Sequence, residues 1–136
     1  DQSVAPTGAG VALEHTPQAF VLPAQLSGRK SVVHVVSEDC AACVRPTAML
    51  KDLVAEGANW KLLLVVVGAD ETAASSLRSE GLQDLELWLD HDGKTAGELQ
   101  VLHFPTTVVF DPAGEVLSRM DGFSEKGWSE IRTALR

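Results

Sequence analysis

A chain of 136 residues, 45% of them apolar, is long enough for a single domain with its own core. The formal charge of −8 argues against nucleic acid as a partner, and two cysteines cannot build a disulfide scaffold. The longest apolar run, Leu62 to Val67, is far below the roughly 20 residues needed to cross a bilayer.

In chain order, residues 1–15 read as a flexible leader, with Gly, Pro, Ser and Thr concentrated between Asp1 and Gly10, ahead of a domain over residues 16–136. The opening Asp1 is consistent with removal of an upstream signal or membrane anchor. Phe20-Val21-Leu22 before Pro23 reads as a short edge strand. Val32-Val33-His34-Val35-Val36, β-branched and flanked by polar residues, predicts a buried strand. A helix follows, with Ser37 or Asp39 placed to cap it and Val44, Thr47, Ala48, Leu50, Leu53 and Val54 recurring at helical spacing. Trp60 to Val67 predicts a strand covered on both faces. A turn over Gly68–Asp70 and a helix over Glu71–Ser79 lead to Leu85–Leu89, which alternates with period two. Asp90-His91-Asp92-Gly93 is a turn and Lys94–Leu102 a short helix. Thr107–Phe110 and Glu115–Met120 form a hairpin about Asp111-Pro112-Ala113-Gly114, and Ser124–Leu135 is an amphipathic helix with Trp128, Ile131 and Leu135 on one side. Strands separated by helices and finishing in a hairpin give an α/β sandwich with a mixed sheet.

The chemistry-bearing residues are Cys40 and Cys43, the only two cysteines, spaced as Cys-Ala-Ala-Cys. Two thiolates at this spacing can chelate a metal or exchange with a disulfide. The pair alone is ambiguous, and Phe104-Pro105-Thr106-Thr107, opening a later apolar run, decides for exchange. Unsatisfied backbone N–H groups and the positive end of the helix dipole stabilise a thiolate at Cys40. Cys43, three residues on, lies on the same helical face, from which it can attack a mixed disulfide at Cys40.

The ordered set of a strand, Cys40-x-x-Cys43 at a helix start, Pro105-Thr106-Thr107 opening a later strand, the Asp111-x-x-Gly114 hairpin and a final helix resembles the thioredoxin superfamily over roughly residues 18–135. Within it the chain most resembles the TlpA/ResA-like exported thiol-disulfide oxidoreductases, which carry an extra helix and strand where Glu71–Leu89 stands here. The resemblance implies a three-layer α/β/α sandwich with a central mixed sheet and a TlpA-like helix-strand insertion. It implies thiol-disulfide exchange without a prosthetic group, with Cys40 attacking and Cys43 resolving. The implied setting is periplasmic or otherwise extracytoplasmic, for a monomer that meets protein disulfide substrates and a membrane thiol reductase as electron donor. Pro105 would be the cis-proline, beside which the backbone of the preceding residue pairs with an extended substrate. That residue is Phe104, larger than the usual β-branched one, and it would narrow or grease the substrate groove.

Departures from the family pattern carry their own expectations. Asp39, with Glu38 beside it, replaces the usual aromatic before the first cysteine; as part of the substrate-facing surface it opposes thiolate formation at Cys40 and favours a reducing dithiol. Ala41 and Ala42 supply neither charge nor a hydrogen bond between the cysteines. Pro46 would free the carbonyl of Ala42 and bend the helix early. His34 matches the position of a buried acid beneath the resolving cysteine, where it would either exchange a proton with Cys43 or serve as a neutral, hydrogen-bonded core histidine. A rival reading from another class is a Cu(I)- or Zn(II)-binding module in which His103 joins the two thiolates.

Overall fold

In a computed structural model of the chain, Leu26 and residues 28–57, 59–68 and 86–136 are described. The expected leader, the strand at Phe20–Leu22 and the helix over Glu71–Ser79 lie outside those residues. The elements in order are β1 (Ser31–Ser37), a 3-10 turn (Ala41–Cys43), α1 (Val44–Ala55), β2 (Lys61–Val67), β3 (Glu86–Asp90), α2 (Lys94–Glu98), β4 (Thr106–Phe110), β5 (Val116–Asp121) and α3 (Glu125–Ala134).

The five described strands form one sheet in the order β3-β2-β1-β4-β5. β1 runs parallel to β2 and antiparallel to β4, β3 is parallel to β2, and β5 is antiparallel to β4. The mixed α/β sandwich expected from the sequence is therefore present. Because β1 is central and covered on both sides, its apolar residues run on without alternation, yet they divide by face. Val33 and Val35 join Leu63, Val65, Val108, Phe110 and the α2 residue Ala96 in one core. Val32 packs with Leu50 of α1 and with Trp128, Ile131 and Leu135 from the last helix on the other. The predicted apolar face of that helix is thus the buried one. Its start is fixed by Ser124, whose Oγ accepts from the Gly127 N–H at 2.9 Å.

The first helix begins differently from expectation. Neither Ser37 nor Asp39 is its cap: Cys40, with extended backbone (φ −95°, ψ 98°), is the N-cap of the 3-10 turn, Cys43 is the N-cap of α1, and neither makes a side-chain cap bond. The Cys43 N–H donates to the Cys40 carbonyl at 3.1 Å, so a tight turn leads into α1 only at Val44. This also corrects the expectation for Pro46. It falls in the first turn of α1, where its missing N–H has no intrahelical partner to lose.

The helix expected over Lys94–Leu102 stops at Glu98. Gln100 adopts the left-handed region (φ 54°), its N–H donating to Gly97 O at 3.1 Å while the Val101 N–H donates to Ala96 O at 2.9 Å. This is a Schellman ending with glutamine where glycine is usual. Upstream, Asp90 is buried and its carboxylate accepts the backbone N–H groups of Thr95 (3.1 Å) and Ala96 (2.9 Å), which ties α2 to the end of β3. The β4–β5 hairpin turns as predicted: Asp111 Oδ1 accepts from the N–H groups of Ala113 and Glu115, and Gly114 supplies the positive φ (90°) that the turn requires.

Candidate active site

The end of β1 delivers Cys40, and the 3-10 turn after it delivers Cys43. The two are joined in a disulfide with Cα atoms 5.3 Å apart. They are not equivalent. Cys40 is partly exposed, whereas Cys43 is 4% exposed and belongs to a small core with Val36, Leu64 and Val66. Cys40 and Phe104 both pack against that core, so residues 64 apart in sequence share one patch beside the sulfur pair. The Phe104–Pro105 peptide is cis, and Pro105 is buried immediately ahead of β4. Val44 and Leu102, at 69% and 83% exposure, leave apolar surface on the elements that carry Cys43 and Phe104. Glu38 and Asp39 are exposed before Cys40.

His34 is fully buried on β1. Its Nδ1 lies 2.9 Å from Thr107 Oγ1 and its Nε2 2.8 Å from Thr47 Oγ1. In a neutral imidazole one nitrogen donates and the other accepts, and a threonine hydroxyl can answer either way, so both tautomers are satisfied. Burial without a charged partner pushes the imidazole pKa down from 6.5 to about 4, because the cation would lose its hydration. These contacts favour the neutral core reading of His34. The sequence shows Thr47 as a position on the helix face and Thr107 as part of the Pro-Thr-Thr strand opening, but neither as a partner of His34; the signal for that was the need of a buried histidine for two partners.

His103 is exposed, and among the described residues no group of three or more His, Cys, Asp or Glu side chains is gathered as a metal site would require. The backbone ahead of Pro105 is held by groups that sequence reasoning missed. Thr106 Oγ1 donates to His103 O at 2.7 Å, the Gly122 N–H donates to Pro105 O at 2.7 Å, and Arg119 donates to the carbonyls of Leu99 (2.7 Å) and Gln100 (3.0 Å).

No protein-family model matches the chain, and no curated protein matches it. Solved structures do. A thiol-disulfide oxidoreductase from Bacteroides fragilis is 21% identical with a TM-score of 0.68, covering 83% of this chain and 86% of that one. A secreted Mycobacterium tuberculosis disulfide oxidoreductase, described as homologous to DsbE of E. coli, is 18% identical with a TM-score of 0.67, over 81% and 85% of the two chains. StoA from Bacillus subtilis is 16% identical with a TM-score of 0.63, over 79% and 84%. With the strand order, the dithiol at the β1–α1 junction and the cis-proline at the head of β4, this likeness establishes that the chain adopts the thioredoxin-like fold.

Proposed function

We infer that this protein is a thiol-disulfide oxidoreductase that reduces extracytoplasmic protein disulfides. The observation that carries the reading is the disulfide between a partly exposed Cys40 and a buried Cys43, set beside Phe104 and a cis-proline. In the reduced protein the Cys40 thiolate attacks one sulfur of a substrate disulfide, forming a mixed disulfide and releasing the other substrate sulfur as a thiolate that takes up a proton. Cys43 then loses its proton and attacks Cys40 Sγ, which releases the second substrate thiol and closes the Cys40–Cys43 bridge. Two electrons pass to the substrate, and an external dithiol, a membrane thiol reductase in this reading, returns two electrons and two protons. The order of attack follows from access, since an incoming disulfide can reach Cys40 but not Cys43.

Phe104 and Asp39 flank the dithiol as substrate-facing residues, and the backbone at Phe104 offers an edge to an extended polypeptide. His34 stays neutral in this scheme and acts by holding Thr47 of α1, one turn beyond Cys43. A reducing polarity is supported by the exposed carboxylates of Glu38 and Asp39 before Cys40. Support for an extracytoplasmic setting comes from the secreted relative of similar fold; none of the described helices is long and apolar enough to cross a membrane.

Insulin reduction with dithiothreitol as donor tests the proposal on the wild type, Cys40→Ala and Cys43→Ala. Activity is expected to vanish in both variants, with a mixed disulfide accumulating only when Cys43 is replaced. A wild type that turns over no insulin but binds stoichiometric Cu(I) through the two cysteines would replace exchange by the metal-carrier reading, and a potential as high as a dedicated oxidant's would reverse the polarity.

A further inference from the structure

Four anchors converge on the segment Leu99–Pro105, and they come from the hairpin strands that follow it and from Gly122 just beyond them. Arg119 makes the largest share. Its NH1 donates to Leu99 O at 2.7 Å and its NH2 to Gln100 O at 3.0 Å, while Nε and NH2 hold the carboxylate of Asp121 at 3.0 to 3.3 Å. Thr106 Oγ1 donates to His103 O and lies 3.5 Å from Asp121 Oδ1, and the Gly122 N–H donates to Pro105 O. The clasp spans the place where a non-glycine residue, Gln100, turns left-handed at the end of α2.

A left-handed glutamine costs free energy that glycine would not. The planar guanidinium fork offsets that cost by answering the two successive carbonyls of Leu99 and Gln100. Beyond the turn, Leu102 is held out at 83% exposure and Phe104 folds back against the core that contains Cys43. The geometry of the clasp therefore bears on where the loop stands relative to the sulfur pair.

We propose that Arg119, locked by Asp121, is a positioning residue that fixes the Leu99–Pro105 loop as the polypeptide-docking wall of the dithiol. The proposal rests on the exchange reading given above. It separates two properties: the reactivity of the sulfurs, set at the β1–α1 junction, and the capture of a polypeptide disulfide, set by a loop anchored from β5. Small disulfides, which need no wall, feel only the first.

The test compares wild type, Arg119→Ala and Arg119→Lys on insulin and on 5,5′-dithiobis(2-nitrobenzoic acid), with the reduction potential read against glutathione. Arg119→Ala is expected to raise KM for insulin about tenfold, since misplacement of a positioning loop by less than an ångström is enough for an effect of this order. Its rate with the small disulfide and its equilibrium constant against glutathione are expected to stay within about twofold of wild type. Amide exchange at residues 100–104 should accelerate while that of β1 and α1 does not. Arg119→Lys keeps the charge opposite Asp121 and loses the fork, so it gives the same split at smaller size and carries the test should the alanine variant not fold. Unchanged insulin KM in a variant with intact wild-type activity overturns the positioning role, as does an equal loss on both disulfides. A wild type inert toward both disulfides overturns the exchange reading instead, and the amide-exchange result then still decides whether the clasp holds the loop.

Discussion

Lowering the pH from 7 to 4 should expose His34 as a specific source of acid sensitivity. On β1 its cross-strand neighbours are Leu64 and Thr107, and Thr47 reaches it from α1; none of these carries a charge that could stabilise an imidazolium. Burial holds its pKa at about 4 against 6.5 for the ordinary group. Above pH 6.5 the ring is neutral in folded and unfolded chains alike, and His34 contributes no pH dependence. Below it the unfolded chain takes up a proton that the native one refuses, so stability falls by about 1.4 kcal/mol per pH unit. The fall levels off near pH 4, where the native ring also protonates, after a total loss of about 3 kcal/mol. Against a typical stability of roughly 5–15 kcal/mol this is a large fraction. The assay is urea unfolding of the oxidised protein at half-unit pH steps, on wild type and His34→Gln, which keeps a donor and an acceptor but does not titrate. Carboxylate contributions are common to both proteins and cancel in the difference. Parallel stability curves between pH 6.5 and 4, or an imidazole resonance of His34 titrating near 6.5 in the folded protein, would refute the reasoning.

Two further outcomes follow from single contacts. A Cβ at Gly127 would stand 2.8 Å from Met120 Cγ and 2.9 Å from its Sδ, and Met120 is itself buried; Gly127→Ala should therefore lose about 1–2 kcal/mol despite the better helix propensity, and a raised Tm would contradict the clash. Asp90→Ala removes the acceptors of the Thr95 and Ala96 N–H groups and should cost about 1–2 kcal/mol, seen as a lower Tm with faster amide exchange at residues 95 and 96; unchanged exchange there would show that water replaces the carboxylate without loss.

Much of this could be read from residue order because the decisive signals were local. Val32–Val36 between polar flanks could be little other than a buried strand, and Asp111–Gly114 between two β-rich runs could be little other than a turn. Misreadings occurred where backbone geometry or distant contacts decided. Ser37 and Asp39 have the right side chains for a cap, but the chain turns one residue later through a backbone bond from Cys43 to Cys40. Leu99 and Leu102 lie at helical spacing, yet the helix has already ended in a turn at Gln100, whose carbonyls are bonded by Arg119, about 20 residues downstream. Thr107 is 73 residues from His34. No periodicity can announce a partnership across that separation.

The buried histidine also explains how two distant parts of the chain are kept in register. Thr47 stands four residues beyond Cys43 on α1, and Thr107 two residues beyond Pro105 on β4; His34 joins the two through one ring. A carboxylate at this place would bring a buried titrating charge into that link. A neutral ring with both nitrogens answered brings no charge near neutral pH, because its pKa is about 4. The helix that follows the buried cysteine and the strand that follows the cis-proline are thereby fastened by a link that carries no charge near neutral pH.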